Sequence, residues 1–360
     1  MNSQPESAGS RQPVDLVLEG GGVKGIALAG ALAVLEDRGF EAQKLAGASA
    51  GAIAATLYAA GYSAEELRQE LLALDFRSFE DTGWEDRLPL VGKGVSILGD
   101  QGIYEGEAFL AWMRALLERK GKRTFGDLIR EASGDDLADR YRVQVIASDL
   151  SARRLLRLPR DAPLLGIEPD DLDIAWAVRM SMSIPIFFEP VRWQNPRTGE
   201  EHLIVDGGVL SNFPVWLFDC DGEPGWPTFG LLLTEPEPRE TVAGRVPRAE
   251  PEHGGVRALV TYLKSLVSTM LEAHDRLYLE GADYARTIPI GTLGVGTVEF
   301  DLSRERSDAL YQEGRRAAEE FLASWDFDAY IAAFRRGTPK SRRSQVSGLP
   351  DAGPSSPARA

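Results

Sequence analysis

Cysteine and histidine are scarce in this chain. Of its 360 residues one is cysteine, Cys220, and three are histidine, His202, His253 and His274. A single thiol cannot close an internal disulfide, so the chain is expected to fold on its hydrophobic core in a reducing compartment. The ordinary reading of Cys220 is a small buried apolar residue. The thiol and the three scattered imidazoles make no cluster with zinc spacing, and no metal or other cofactor is expected. Long apolar runs are missing too. The most apolar stretch, Ala50 to Ala60, is rich in alanine and too short to span a bilayer. The opening MNSQPESAGSRQP has no apolar centre and does not read as a secretory signal. The expected location is cytoplasmic, with any membrane contact peripheral and at the inner face. Positive charge is in deficit: 40 Lys and Arg against 55 Asp and Glu leave a net charge of −15. That balance excludes a nucleic-acid partner, which needs basic patches, and general attraction to an anionic lipid surface. The local exception, Arg153, Arg154, Arg157 and Arg160, reads as a solvated hairpin.

What is present is an ordinary globular composition, 43% hydrophobic and 26% charged, with no internal repeat. Short apolar runs alternate with helix-like segments. Strands are expected at Asp15–Glu19, Lys44–Ala46, Tyr141–Ala147 paired with Arg154–Leu158, His202–Val205, Thr228–Leu233, Ala285–Ile290 and Thr297–Leu302. Helices are expected from Gly25 to about Arg38 and from Ser49 to Gly61. Others are read over Glu107–Lys120, Asp173–Ser181, Val256–Glu280 and Ser303–Trp325. Ser63 and Glu66 have capping-box spacing ahead of another helix. Residues 77–103 read as an irregular connection, a flap over the site or an ordinary surface loop, and Glu235–Gly255 reads as a long loop. The alternation predicts an α/β fold with a mostly parallel or mixed sheet between layers of helices.

Two glycine-rich turns stand close together. Gly20-Gly21-Gly22-Val23-Lys24-Gly25 follows the first strand and opens a helix, where free backbone N–H groups favour an anion. Gly47-Ala48-Ser49-Ala50-Gly51 has the G-x-S-x-G form of a nucleophile elbow, a tight strand-to-helix turn that needs small neighbours. A serine hydroxyl needs a base within reach and donors aimed at the developing oxyanion. The first turn also matches G-x-G-x-x-G, which a dinucleotide site would pair with an acid ending a second strand about 20 residues on. Glu41 has about that spacing but precedes Ala42-Gln43-Lys44 instead of ending an apolar strand. Ile26 stands where a P-loop would carry lysine.

None of the three histidines sits in a recognisable catalytic turn. Asp206 is the better candidate for the base, since it ends the apolar run Leu203-Ile204-Val205 and enters Gly207-Gly208. An ordinary Asp-Gly hairpin would give the same triplet.

Taken together and in this order, Gly20–Gly25, Gly47–Gly51 and Asp206–Gly208 resemble the patatin-like phospholipases. Ser183-Ile184-Pro185 and Asn212-Phe213-Pro214 are similar to that family as well, and the resemblance covers about residues 14–220. It implies a three-layer α/β/α sandwich around a central mixed sheet, and lipid acyl hydrolysis by a Ser-Asp dyad without histidine, metal or cofactor. On that resemblance Ser49 is the nucleophile and Asp206 the base. The Gly20, Gly21 and Gly22 backbone forms the oxyanion hole, with Lys24, Gly25, Gly47, Gly51, Gly207 and Gly208 as supporting motif residues. The resemblance suggests a hydrolase domain at 14–220; composition adds a disordered tail at 1–12 and a disordered basic tail at 336–360, and residues 221–335 are expected to extend the same globule. The expected partner is a lipid ester. Acyl transfer by the same residues and a non-catalytic nucleotide-binding protein stay open as alternatives.

Overall fold

The computed structural model describes residues 11–74, 103–131, 136–235, 279–297, 299, 301–337 and 341–343. The expected flap at 77–103, the loop at 235–255, the helix at 256–280 and both His253 and His274 fall wholly or almost wholly outside them.

The first apolar run forms β1 (Gln12–Leu18), and α1 (Gly25–Asp37) follows the glycine turn. Next come β2 (Phe40–Ala48), α2 (Ser49–Ala59) and α3 (Ala64–Ala73). The capping box at the start of α3 is formed: Glu66 N–H donates to Ser63 Oγ at 3.2 Å and Ser63 N–H to Glu66 Oε2 at 2.8 Å. Then follow α4 (Ile103–Arg119), a short α5 (Leu137–Arg140), β3 (Val143–Asp149) and β4 (Arg154–Leu158). After them come α6 (Ile174–Ser181), β5 (Val191–Gln194) and β6 (Glu201–Asp206). The later described elements are β7 (Thr228–Thr234), α7 (Gly281–Ala285), β8 (Thr287–Gly291), α8 (Arg304–Ser324) and a short α9 (Phe327–Tyr330).

These strands make one mixed, mostly parallel sheet in the order β5-β6-β3-β2-β1-β7-β8, with β4 on the outer edge of β3. The pairs β1–β2, β1–β7, β2–β3 and β7–β8 are parallel. The chain winds outward from β1 through β2 and β3, then returns to place β7 on the other side of β1. That reversal is a topological switch point, where α/β sheets open a crevice beyond the strand ends.

Alternation along the strands sorts the core into two layers. Leu16, Leu18, Leu45, Val143, Val145, Phe229 and Leu231 face α1, α2, α4 and α6. Val17, Ala46, Ala48, Ile146 and Leu232 face the other way, against Phe213, Val215, Leu217 and Phe218. α1 and α2 are buried almost all round, not along one stripe, because α8 lies over the outer side of α1.

Two expectations differ from the structure. The alternating run at Thr297–Leu302 is not a strand among its described residues. Glycines at 294 and 296 and a left-handed Leu293 turn the chain there, with Val295 N–H donating to Thr292 O at 2.9 Å. Within the expected basic tail, residues 341–343 are held against the body. Ser341 N–H donates to Asp221 Oδ1 at 2.7 Å, Arg343 pairs with Asp136 at 2.9 Å, and Arg342 pairs with Asp283. Composition marks such a segment as unable to build a core, but these arginines meet carboxylates on an acidic body.

Arg286, at the start of β8, is buried between two buried carboxylates, Asp219 at 2.6 Å and Asp283 at 2.7 Å. Removing one partner of a buried ion cluster strands the others without water. Arg286→Met should therefore lower unfolding free energy by about 3–5 kcal/mol in urea titrations. Adding Asp219→Asn to it should recover part of the loss.

Candidate active site

Ser49 stands where β2 ends and α2 begins, with a φ of +51°. A left-handed residue that is not glycine costs about 1–3 kcal/mol and persists only where its surroundings enforce it. The surroundings here are very tight. A Cβ at Gly51 would lie 2.3 Å from the Leu18 carbonyl oxygen, and one at Gly47 would lie 2.3 Å from the Gly51 backbone. Only glycines let α2 start this close to β1 and β2. The Ser49 N–H donates to Ser181 Oγ at 2.9 Å.

Asp206 reaches the same point along a different strand. β4 occupies one edge of β3 at residues 145–149, so β2 and β6 share the other edge. β2 ends there with Ala48 opposite Ile146, and β6 ends with Asp206 opposite Ala147. Consecutive residues of β3 thus bring together the residue before Ser49 and Asp206 itself. The Asp206 N–H donates to Ser183 O at 2.9 Å, and its Oδ1 accepts from Gly208 N–H at 2.8 Å. Asp206 is fully buried, and among the described residues no cation faces it. Burial pushes its pKa from 3.8 up to about 7, against the smaller lowering by the Gly208 N–H and the Ser49 hydroxyl. The serine hydroxyl is thus within the carboxylate's reach, while Oδ2 has no closed hydrogen bond among the described residues.

The glycine-rich turn lies against both. A Cβ at Gly20 would come within 2.2 Å of Asn212 Oδ1 and 3.0 Å of Ser49 Cβ. Asn212 holds Gly20 through its backbone on both sides: Nδ2 donates to Gly20 O at 2.9 Å, and Asn212 O accepts the Gly20 N–H at 3.3 Å. The Gly20 N–H is therefore occupied. The N–H groups of Gly21 and Gly22 make no hydrogen bond among the described residues. Gly22 is left-handed, with φ +55°. Lys24 is buried and pairs with Glu235 at 3.1 Å instead of pointing at Ser49's partner. Gly25 opens α1 and packs on Ala50 Cβ. Gly207 lets the Ile146 carbonyl approach within 2.3 Å of where its Cβ would stand.

The structure thus gathers Ser49, Asp206, Gly20–Gly22, Gly47, Gly51, Gly207 and Gly208 at one sheet edge. It also recruits residues to which the sequence reading assigned no role. Ser181 and Asn212 touch the site directly. Glu19 accepts from Leu233 N–H at 2.5 Å and Asn212 Nδ2 at 3.4 Å. Their signals lay in the Ser-x-Ser-Ile-Pro and Asn-Phe-Pro segments, but nothing in the spacing says which atom each would meet.

Other candidates sit elsewhere. His202 Nδ1 bonds Asp149 Oδ2 at 2.7 Å. It lies four residues back along β6 from Asp206, about 13 Å at strand rise. Glu41, the acid a dinucleotide site would use, pairs with Pro13 near the start of β2, at the opposite end from the glycine turn. Asp15 is also pushed up, to about 6, by burial that outweighs Lys44 at 3.3 Å. It sits in the middle of β1 within a structural ion cluster, so a raised carboxylate alone does not mark the site. Among the described residues no group of His, Cys, Asp or Glu could hold a metal ion, and no helix is long and apolar enough to cross a membrane.

Comparison with known proteins gives a family match. The profile described as patatin-like phospholipase matches residues 16–219. The uncharacterized protein YqhO of Bacillus subtilis (strain 168) is 38% identical over 315 residues, 87% of this chain and 99% of that protein. The uncharacterized protein R571 of Acanthamoeba polyphaga mimivirus is 23% identical, across 89% of this chain and 97% of its own length. Among solved structures, VipD from Legionella pneumophila is similar at 17% identity and TM-score 0.49, covering 88% of this chain and 68% of that one.

The raised Asp206 pKa has a consequence for stability. Below pH 3.8 the carboxyl is protonated in both folded and unfolded chains and costs nothing. From 3.8 to about 7 the unfolded chain releases its proton while the native chain holds it, so stability falls as pH rises. Above about 7 the loss levels off at about 4 kcal/mol. Asp206→Asn removes this penalty. Calorimetry should find the variant more stable than wild type at pH 8, with the gain shrinking towards pH 4; equal melting temperatures at pH 8 would contradict a raised pKa.

Proposed function

Because the chain belongs to the patatin-like phospholipases, a family of lipid-hydrolysing enzymes, we propose that it cleaves the carboxylic ester bonds of lipids with Ser49 as nucleophile and Asp206 as general base. The observation that carries this reading is the buried Asp206 carboxylate, its pKa near 7, beside the hydroxyl of a left-handed serine at an elbow.

The chemistry follows from the geometry. Asp206 takes the Ser49 hydroxyl proton as Oγ attacks the ester carbonyl carbon. An ordinary aspartate, with a pKa near 3.9, is a poor acceptor at neutral pH; desolvation brings this one close to the working pH. The negative charge moves to the carbonyl oxygen. The donors available to it are the Gly21 and Gly22 N–H groups and the first-turn N–H of Ala50 at the start of α2. The tetrahedral intermediate then expels the alcohol, which takes the proton from Asp206, and the acyl group stays on Ser49 Oγ. Water attacks the acyl-serine while Asp206 accepts its proton. The fatty acid leaves, and the proton returns to Ser49. Every proton passes through one carboxylate, so no histidine is required. Transfer to another alcohol would differ only in the acceptor of the second half-reaction.

The test is a lipid-ester panel with wild type, Ser49→Ala and Asp206→Asn, folding being checked by circular dichroism. Ser49→Ala should abolish turnover and labelling by a fluorophosphonate. Asp206→Asn should lower turnover by about 10²–10⁴-fold, the usual worth of a general base. His202→Ala, His253→Ala and His274→Ala should each stay within several-fold of wild type, and EDTA should leave activity intact. Since only the ionised carboxylate accepts a proton, kcat/KM should rise with pH through about 7. Undiminished hydrolysis by Ser49→Ala would sink the proposal.

A further inference from the structure

The end of α6 touches both members of the proposed dyad. Ser181 Oγ accepts the Ser49 N–H at 2.9 Å and donates its own proton to Ile146 O at 2.6 Å. Two residues on, the Ser183 carbonyl accepts the Asp206 N–H at 2.9 Å. Ser181 and Ser183 have no exposed surface. The Ser183 side chain is tied down separately, by Arg179 Nη1 at 2.5 Å and by its own bond to Arg179 O at 2.9 Å.

The partners of Ser181 give these bonds their meaning. Ser49 is left-handed and is held that way by its neighbours. Its N–H lies at the mouth of α2, where no intrahelical acceptor exists. Ile146 is the β3 residue opposite Ala48, and its carbonyl approaches Gly207, next to Asp206. A hydroxyl with one donor and two acceptor sites therefore joins the backbone of the nucleophile to the strand that registers the base. A buried hydroxyl used only for helix capping would bond a single neighbour on its own element; this one joins two others.

We propose that Ser181 is a positioning residue of the active site. Its hydroxyl fixes the Ser49 backbone against β3, so that the Ser49 hydroxyl is presented to Asp206. It touches neither the substrate nor the reacting atoms. The proposal rests on the reading of Ser49 and Asp206 as the working pair.

The experiment compares wild type, Ser181→Ala and Ser181→Thr. Steady-state kinetics on a lipid ester, the rate of fluorophosphonate labelling of Ser49, and the melting temperature are measured for each. Loss of orientation by a fraction of an ångström to an ångström costs up to about 10²-fold. Ser181→Ala should lose about 10–100-fold in kcat with KM within about threefold of wild type, and the labelling rate should fall by a matching factor. Ser181→Thr, which keeps the hydroxyl, should recover most of both. A purely structural hydroxyl would lower the melting temperature and leave the kinetics of the folded fraction unchanged, and that outcome overturns the proposal. So does a rise in KM at constant kcat. Should Ser181→Ala not fold, Ser181→Cys carries the same comparison, because its sulfur is close in size and a weaker hydrogen-bonding partner. The two readings fail differently. If wild type neither labels at Ser49 nor turns over an ester, the hydrolase reading falls and takes this one with it. If wild type does both and Ser181→Ala matches it, only the positioning role is lost.

Discussion

One edge of one strand sets this site. β3 has β4 along its outer edge, and its inner edge is divided between β2, which stops at Ala48, and β6, which arrives from the opposite direction and stops at Asp206. Neither strand can extend without running into the other. Each must turn away there, and the turns are Ser49 into α2 and Gly207-Gly208 after the acid. The side-chain period of a strand makes register unforgiving, since a slip by one residue reverses every face. Here a slip of either neighbour would drive Val205 or Ala48 into the place of a functional group. The glycines at 47, 51 and 207 follow from the same constraint, because three backbones converge within van der Waals contact.

The second constraint is electrostatic. Among the described residues Asp206 is buried without a cation, which a protein selected only for stability would avoid. Elsewhere the same chain shows the usual remedy. Asp219 and Asp283 share Arg286, and Asp15 has Lys44. At Asp206, among the described residues, one backbone N–H and one serine hydroxyl oppose desolvation. The site is kept apolar at an energetic cost, and what that cost yields is a carboxylate whose affinity for protons suits neutral solution.

Much of this was legible in the residues. Small-residue turns after apolar runs, an acid at the end of LIVD and the order of three motifs single out Ser49, Asp206 and the Gly20–Gly22 turn, which the fold brings together. Most strands and helices fall where periodicity places them. What stayed hidden has physical causes. Sequence gives the face of a strand but not its neighbour, so the shared edge of β3 could not be read. Ser181 looked like any serine near a helix end, because its two partners are 132 and 35 residues away in the chain. Thr297–Leu302 carries β-branched and aromatic residues, yet glycines stand just before it and the Thr297 carbonyl is drawn to the first loop, accepting Val23 N–H at 3.3 Å.

That last contact bears on how the chain divides. The family profile ends at residue 219, but the glycine turn is held in part by what comes after. Glu19, which leads into it, anchors to the Leu233 N–H on β7, and its own N–H goes to Leu231 O at 3.1 Å. A Cβ at Gly21 would strike Leu233, and one at Gly22 would strike the Thr297 carbonyl. The Gly21 and Gly22 N–H groups therefore owe their direction to β7 and to the turn after β8, with α8 clamping α1 behind them. The proposed nucleophile and base are fixed by β2, β3 and β6 in the first part of the chain, whereas the Gly21 and Gly22 N–H groups, the proposed oxyanion donors, lean on the second. A chain cut at 219 would keep Ser49 and Asp206 and their register on β3, and Asn212 would still hold Gly20, but β1 would be left as a bare edge and Gly21 and Gly22 would lose Leu233 and Thr297.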